Sequence, residues 1–291
     1  MVKKRRNKVQ FSVFDLLLTV VLVLVAAVTV YPVIYVVAIS FSDTASIVQN
    51  KVFLLPKGFN LNAYKAVLQD VRVPRAYLNT ILYTTLGTAI NLLMSAVAAY
   101  PLSRPNFFGR KFFLVAIVLT MFLNGGIIPT YLIVQKLHLI DTVWALVLPN
   151  AIWTIELLIL KNFYESMSGS LRESAVIDGA SEYRILLQIV IPLAKPALAS
   201  IGLFYFMGHW NSFFLPMIYL NDPHLYPLQV VLKDMLISDQ ARETALMDKA
   251  ALTPQAMKNA TIFLSMVPVL MVYPFAQKYF AKGIMLGSEK G

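Results

Sequence analysis

Long uncharged, apolar runs alternate with short polar segments along most of this chain. The uncharged runs at Leu16–Ile39, Ala76–Ser103 and Phe112–Gln135 contain 24, 28 and 24 residues. A helix rises about 1.5 Å per residue, so about 20 residues cross a hydrocarbon core of about 30 Å. The pattern therefore predicts an all-α polytopic membrane protein. Its six predicted spans cover residues 13–40, 76–103, 112–135, 142–160, 196–221 and 259–277.

The first span follows a basic tail at residues 1–12. A signal peptide has a shorter apolar region of about 7–15 residues, followed by a cleavage site with small residues. The run here is longer and no such site follows it. We therefore interpret it as an uncleaved transmembrane helix with its N-terminus in the cytoplasm.

The polar segments predict which side of the membrane each connection occupies. Residues 41–75 and 222–258 are predicted external loops, with short helices near 62–68, 228–236 and 254–258. Residues 104–111 are a basic internal turn, and residues 282–291 are an internal tail. Within the third span, Asn124–Gly126 and Pro129 are expected to break or kink the helix.

Composition and charge support the membrane assignment. The chain is 58% hydrophobic and only 14% charged, whereas soluble domains have about 45–50% apolar and about 25% charged residues. Fifteen of the 25 Lys and Arg residues fall in predicted internal segments, which favours both termini in the cytoplasm. The net charge of +10 is divided among short membrane flanks, so it indicates contact with a lipid bilayer and not a nucleic-acid site.

The sequence contains no set of residues that predicts an enzyme. Cysteine is absent, and the three histidines are too far apart for metal-ligand spacing. No G-x-x-x-x-G-K-[ST] phosphate-binding loop occurs. If ATP drives the protein, its hydrolysis must therefore take place in another polypeptide.

The central segment, residues 161–195, is a polar stretch between the fourth and fifth spans. Within it, Glu173-Ser174-Ala175 is followed after three residues by Gly179, and nine further residues lead to Ile189 and then Pro192. This spacing resembles the EAA loop of binding-protein-dependent ABC importer permeases. It departs from that pattern at Ser174, which replaces an alanine, and at Ile191, which replaces a leucine.

The resemblance extends over nearly the whole chain. Trp210-Asn211 and Lys282-Gly283 are similar to the sugar-uptake, MalG-like branch of these permeases, and residues 124–131 are similar to its lpl-type oligosaccharide and polysaccharide group. The resemblance implies a type I importer fold with a core at residues 76–281, in the bacterial cytoplasmic membrane. It also implies four partners: a second related permease, two ABC ATPase subunits that use ATP and Mg²⁺, and an extracellular sugar-binding protein. The chain itself is expected to bind no cofactor.

The residues of the central segment predict how it contacts the ATPase subunits. Ala175 and Gly179 are four residues apart, which in a helix places two small residues on one face. Glu173 is expected in the first helical turn, where the helix dipole favours an anion. Pro192 is expected near the break before the fifth span. The predicted ATPase-coupling residues are Glu173, Ser174, Ala175, Asp178, Gly179, Ala180, Ile189 and Pro192.

Polar and aromatic residues inside the spans are candidates for the substrate path. Aromatic faces and amides suit sugars, but the same residues also serve in helix–helix packing. Glu156, near the inner end of its span, has a functional role, reaches the cytoplasmic interface, or pairs with Lys161. The predicted path residues are Asn124, Gly125, Tyr131, Tyr205, His209, Trp210 and Asn211.

These patterns favour a permease subunit that imports oligosaccharides or polysaccharide fragments. Three alternatives remain at this stage: an importer permease for a non-sugar solute, a self-sufficient secondary transporter, and a membrane scaffold without a transport path. A secondary transporter would need ion-coupling groups near mid-membrane, and the first, second, third, fifth and sixth predicted spans carry none there.

Overall fold

The computed structural model describes residues 13–123, 125–243 and 254–288. These residues form helices and connecting loops, with no strand among them. The helices of these residues are α1 (Val13–Ser40), α2 (Thr44–Val48), α3 (Asn62–Gln69), α4 (Arg72–Leu102), α5 (Arg110–Phe122), α6 (Ile127–Lys136), α7 (Val143–Val147), α8 (Thr154–Ser166), α9 (Gly169–Ile177), α10 (Glu182–Ile185), α11 (Ile191–Leu193), α12 (Lys195–Trp210), α13 (Phe214–Tyr219), α14 (Leu228–Glu243) and α15 (Pro254–Ser288). A π-helical turn, Leu186–Val190, joins α10 to α11. A short 3₁₀ turn, Pro223–Leu225, precedes α14.

The apolar runs form long or broken helices. The first two are the single helices α1 and α4. The third is broken as expected, because α5 ends at Phe122, α6 begins at Ile127, and their axes differ by 112°. By length and apolar composition, three helices qualify as membrane spans, Val13–Ser40, Arg72–Leu102 and Gln255–Pro274, and two bent pairs bring the number to five.

The remaining runs are also divided or extended. Residues 148–153 interrupt the fourth run, between α7 and α8, and α8 continues into the central segment as far as Ser166. The fifth run contains α12 and α13. The last run belongs to α15, a helix of 35 residues that continues beyond residue 277 to Ser288.

The chain forms two compact units. The first unit comprises Met1–Gln69 and Ser238–Leu264, and the second comprises Asp70–Ile237 and Ser265–Gly291. In the first unit, every α1 side chain from Val13 to Ile34 is exposed. A 28-residue helix that is apolar all round suits a lipid environment. The end of α1 is fixed in its own unit, because Ser40 Oγ shares a hydrogen bond of 2.7 Å with the Tyr64 hydroxyl.

Helix α4 is the centre of the second unit. Its buried face carries small and polar residues at helical spacing, namely Thr80, Thr84, Gly87, Asn91, Ser95 and Ala99. Small residues let neighbouring helices approach closely, and their polar groups can hydrogen-bond across the interface. The helices α8 and α12 pack directly on α4.

Two apolar clusters lie toward opposite ends of α4. Near its beginning, Tyr83 packs with α7 and with the end of α13. Near its end, Ala96, Ala99, Tyr100 and Leu102 pack with α8, α12 and the central segment. The central segment is therefore part of the folded core of this unit.

Candidate functional site

Helix α9 of the central segment ends in a left-handed glycine. The amide of Gly179 donates to the carbonyl of Val176 at 3.0 Å, and the amide of Ala180 donates to the carbonyl of Ala175 at 2.9 Å. This is the Schellman arrangement, which requires a positive φ at the residue after the cap. Gly179 has that φ, +77°, and no atom of the described chain lies within 4 Å of the position its Cβ would take.

This geometry corrects two predictions about the central segment. Gly179 lies beyond the end of the helix, so it does not share a helical face with Ala175. The sequence pattern could not separate an interior glycine from a helix-ending one. Glu173 is the fifth residue of α9, which starts at Gly169, so it lies outside the first turn. Its exposed side chain extends back toward the start of the helix, where Oε1 lies 4.0 Å from the position that a Cβ on Gly169 would take.

We call the two parts of the central segment its limbs. The first limb is α9, and the second limb begins at Ser181 and ends at Ala194. Ser181 is extended, and its hydroxyl accepts the amide of Arg184 at 3.4 Å, which starts α10. Pro192 lies within α11, and the break follows two residues later at Ala194. Helix α12 then leaves at 79° to this limb. A displacement of the second limb would therefore act directly on the start of α12.

One face of the central segment is buried against three helices. Ala175 from α9 and Ile185, Leu186, Val190 and Ala194 from the second limb belong to one core cluster, each at most 8% exposed. Residues from the ends of α4 and α8 complete it, together with Ile201 and Tyr205 of α12. Because burial of apolar surface stabilises such contacts, the segment is attached to all three helices.

A polar network joins the two limbs to the end of α4. Glu182 of α10 accepts hydrogen bonds from the Tyr100 hydroxyl of α4 and from the guanidinium of Arg172 in α9. The Tyr100 hydroxyl and then Arg172 hold the pKa of the Glu182 carboxyl below its usual value. The guanidinium carbon of Arg104 lies 4.4 Å from the centre of the Tyr100 ring, a cation–π distance.

The opposite face of the segment exposes large apolar side chains. Ile177 is 85% exposed, Tyr183 82% and Leu187 62%. These three residues, which we call the outer face, flank the turn that contains Gly179. The predicted residues Glu173, Ser174 and Asp178 are also exposed, whereas Ala180 and Ile189 are half-buried. An apolar surface beside a rigid turn is suited to contact with another protein.

A second cluster of interest lies between α4, α8 and α12. Asn91 of α4 is buried; its Nδ2 donates to the carbonyl of Asn150 at 2.6 Å, and its Oδ1 lies 2.6 Å from Nε2 of His209. Ser95 and Tyr205 share a hydrogen bond of 2.6 Å between their hydroxyls. The ring of Trp153 lies against both Tyr205 and His209, with centroid distances of 5.1 and 5.8 Å.

The predicted path residues occupy several environments. Tyr205 and Trp210 are buried within the second unit, and Trp210 donates its indole N–H to the carbonyl of Ser265 at 3.0 Å. Asn211 and Gly125 are exposed, and Tyr131 stacks on Tyr219 at 6.2 Å. His209 is brought together with Tyr205 by Trp153. Asn124 lies outside the described residues.

Curated relatives match nearly the whole chain. The polygalacturonan/rhamnogalacturonan transport system permease protein YtcP of Bacillus subtilis (strain 168) is 40% identical over 281 residues, which cover 96% of this chain and 98% of that protein. Protein LplC of the same organism is 42% identical over 281 residues, which cover 96% and 95%. The chain belongs to the sugar ABC importer permease family. No protein-family model matches it.

A solved structure agrees with this membership. A crystal structure of a bacterial ABC transporter involved in the import of the acidic polysaccharide alginate contains a chain that is 35% identical and superposes with a TM-score of 0.86. The match covers 94% of this chain and 100% of that chain. A second structure, of an alginate ABC transporter with a pentasaccharide-bound periplasmic protein, is 15% identical with a TM-score of 0.62 and supports the fold.

The assignment of this permease to the sugar branch and to its lpl-type group, which was predicted from the sequence, is confirmed. One local pairing is wrong. Lys161 does not pair with Glu156, because its Nζ lies 2.7 Å from Glu165. Glu156 lies in the first turn of α8, five residues before Lys161.

Some functional candidates in this permease are recognisable only from tertiary contacts. Arg172 and Glu182 were visible as charges of the central segment, but the Tyr100 hydroxyl, which donates to the same Glu182 carboxylate, is 82 residues from Glu182 in sequence. Trp153 and Asn91 carried no signal beyond their polarity within apolar runs. Their importance depends on contacts with α12, which no local pattern encodes.

Proposed function

We propose that this permease forms half of the translocation path of an ATP-driven, binding-protein-dependent importer of oligosaccharides or polysaccharide fragments. Its relatives support the substrate class, because YtcP is described as a polygalacturonan/rhamnogalacturonan permease and the 35% identical structure as part of an alginate importer. Fragments that contain uronate are the favoured substrates within this class.

The outer face of the central segment is the observation that carries the proposal. Ile177, Tyr183 and Leu187 present apolar surface next to polar residues, on a segment whose other face is buried. We assign this surface to contact with an ABC ATPase subunit. That subunit would bind ATP and Mg²⁺ and hydrolyse the ATP, because this chain has no phosphate-binding loop.

The attachments of the segment support a lever mechanism. The Tyr100–Glu182–Arg172 network ties both limbs to the end of α4, and Ala194 joins the second limb directly to α12. When the ATPase subunits close, the segment would move as one body and tilt α12 against α4 and α8. Such a two-state displacement couples ATP binding to the path.

The proposed topology has six spans with both termini in the cytoplasm. The three candidate spans supply three crossings, and the pairs α5 with α6, α7 with α8, and α12 with α13 supply the other three. The partners are a second related permease, two ATPase subunits and an extracellular saccharide-binding protein. The proposed location is the bacterial cytoplasmic membrane, where the positive-inside bias places the central segment in the cytoplasm.

The test is affinity purification of the permease from its native membrane, with identification of the proteins that accompany it. The wild-type chain is expected to bring a second permease and an ATPase with a phosphate-binding loop. The Ile177→Asp/Tyr183→Asp variant should keep the second permease but lose the ATPase, because charges would replace the apolar contact. Phe108→Asp, which alters an equally exposed apolar residue outside the segment, is the matched control.

Two results would contradict the proposal. One is full recovery of the ATPase, with saccharide-stimulated hydrolysis, by the doubly charged variant. The other is saccharide transport by the lone chain in liposomes without ATP, which would instead identify a secondary transporter.

A further inference from the structure

Glu156 is an ionisable residue without a partner in the described chain. Its carboxylate makes no hydrogen bond or ion pair with the described residues, although it lies close enough to Tyr205 for an electrostatic interaction. Lys161 of α8 and Arg110 of α5 are already engaged, since both pair with Glu165. Glu156 is only half-buried, so it can contact something outside this chain.

The position of Glu156 along α8 makes an unpaired charge costly in lipid. Lys161, which pairs with Glu165, lies five residues further along α8, so Glu156 lies about 7 Å inside the charged end of the helix. In a hydrocarbon core of about 30 Å, this depth is within the apolar region. Ionisable residues at that depth face a water-filled cavity or a partner, and they commonly mark substrate pathways.

Trp153 provides a fixed aromatic surface beside this carboxylate. Three residues before Glu156, its ring contacts Tyr205 and His209 and lies directly against Gly208. A Cβ at Gly208 would stand 2.9 Å from Cζ3 of that ring, so only glycine admits the indole there. Trp153 is half-buried, and part of its surface therefore remains available to a ligand.

His209 is held in one tautomer by Asn91. Because Nδ2 of Asn91 donates to the carbonyl of Asn150, its Oδ1 is the atom that faces Nε2 of His209, which must carry the proton. In the neutral ring, Nδ1 is then a hydrogen-bond acceptor. No described residue donates to it.

The three side chains together have the chemistry of a saccharide subsite. An indole face covers the apolar C–H face of a sugar ring, while the Glu156 carboxylate and Nδ1 of His209 accept hydrogen bonds from hydroxyls. We propose that Trp153, Glu156 and His209 form a subsite of the translocation path that binds the hydroxyls of a sugar ring, and that Glu156 disfavours a uronate carboxylate at this point. The proposal rests on the proposed function, namely that the chain lines a saccharide path.

The test uses the absence of cysteine from this chain. Glu156→Cys, Ile155→Cys and Ile159→Cys are prepared separately in the complete importer, and modification of this subunit by a water-soluble sulfonated methanethiosulfonate reagent is measured. The two isoleucines are the matched controls, because they are exposed on the neighbouring face of the same helix. We expect the Glu156→Cys thiol to react about tenfold faster than either control, since thiolate formation needs water.

The saccharide probes are oligogalacturonate and a neutral galacto-oligosaccharide. A probe that raises ATPase activity of the unmodified importer should slow modification of the Glu156→Cys thiol about fivefold and leave Ile159→Cys unchanged. Glu156→Gln should improve the apparent affinity for oligogalacturonate relative to the neutral probe by about threefold, because it removes like-charge repulsion.

Failure of the subsite and failure of the proposed function give different results. The subsite would be overturned if the Glu156→Cys thiol reacted no faster than the control thiols. It would also be overturned if a probe that stimulates ATPase activity left the modification rate of the Glu156→Cys thiol unchanged. The accessibility comparison needs no saccharide and is decisive even if neither probe stimulates hydrolysis. Loss of ATPase stimulation by both probes in the unmodified importer would count against the proposed saccharide substrate instead.

Discussion

The two ends of α4 are organised in different ways. At the loop end, which comprises residues 72–83 of α4 and residues 219–228, side chains bind backbone groups. The Nδ2 of Asn79 donates to the carbonyl of His224 at 2.9 Å, the Tyr83 hydroxyl donates to the carbonyl of Leu225 at 2.9 Å, and the amide of Leu228 donates to Thr80 Oγ1 at 2.8 Å. At the other end, Tyr100, Arg172 and Glu182 bind one another through side chains.

This difference is relevant to the proposed coupling, in which the central-segment end of α4 moves. At the loop end, side chains of α4 bind backbone groups of residues 224–228 and thereby hold this stretch against α4. The central segment is held through rotatable side chains and leaves Ile177, Tyr183 and Leu187 exposed. The loop end is therefore completed within the chain, whereas the central segment has a surface that another protein can cover.

The largest effect is expected from Gly179→Val. A β-branched residue at φ +77° costs about 1–2 kcal/mol in the left-handed region, which would displace the turn beside the outer face. Saccharide-stimulated ATPase activity of the assembled importer should fall about tenfold, since 1.4 kcal/mol corresponds to that factor. Gly179→Asn is the control, because asparagine tolerates this conformation and should keep most of the activity. Equal activity in the valine and asparagine variants would show that the turn geometry is unimportant.

A smaller, few-fold effect is expected when Glu182 is replaced by glutamine. The change removes the charge that Arg172 and Tyr100 share, and exposed pairs contribute only about 0–1 kcal/mol to stability. The thermal midpoint should therefore change little, while stimulated ATPase activity falls about threefold because the limbs are less firmly joined to α4. Adding Arg172→Ala should cause little further loss. Additive losses in the double variant would refute the shared network.

Asp141→Asn tests the loop end. The Asp141 carboxylate accepts hydrogen bonds from the amides of Asn221 and Asp222, the latter at 3.1 Å, and from Asn221 Nδ2 at 3.2 Å. Its loss should destabilise the permease by about 1 kcal/mol, a modest value because the site is exposed. ATPase recovery in affinity purification should be unchanged. Loss of the ATPase partner in this variant would remove the distinction between the two ends.

The same carboxylate predicts a dependence of stability on pH. The backbone amides of Asn221 and Asp222 hold the pKa of Asp141 below its ordinary value. Its stabilising contribution is therefore present above the unfolded pKa, about 3.9, and is lost as pH falls through the lower folded pKa. The difference in thermal midpoint between wild type and Asp141→Asn should shrink below about pH 4. A difference that stayed constant down to about pH 2 would contradict this role.

The smallest effect is expected for Tyr164→Phe at the central-segment end. The Tyr164 hydroxyl is buried and has no hydrogen-bond partner among the described residues. Removing an unsatisfied hydroxyl should change stability by less than about 1 kcal/mol, in the stabilising direction. The midpoint of thermal unfolding of the variant, compared with that of the wild type, measures this change in stability. A clear destabilisation would show that the hydroxyl has a partner in the assembled importer.

Local sequence patterns determined the membrane character, the apolar runs and the position of the central segment. Each depends on residues close together in the chain: an apolar run long enough for a bilayer, or the fixed spacing from Glu173 to Pro192. The break between the end of α5 at Phe122 and the start of α6 at Ile127 was also predictable, because glycine and proline act on their own backbone. The family resemblance carried by these residues is confirmed by relatives of 40% and 42% identity.

Tertiary structure decided what the individual residues do. Gly179 ends a helix, Lys161 binds Glu165 instead of Glu156, and Glu182 finds Tyr100 across 82 positions of sequence. His209 is oriented by Asn91, 118 positions away. Such pairings depend on how helices pack, and a helical pattern specifies which face is apolar but not which neighbour meets it.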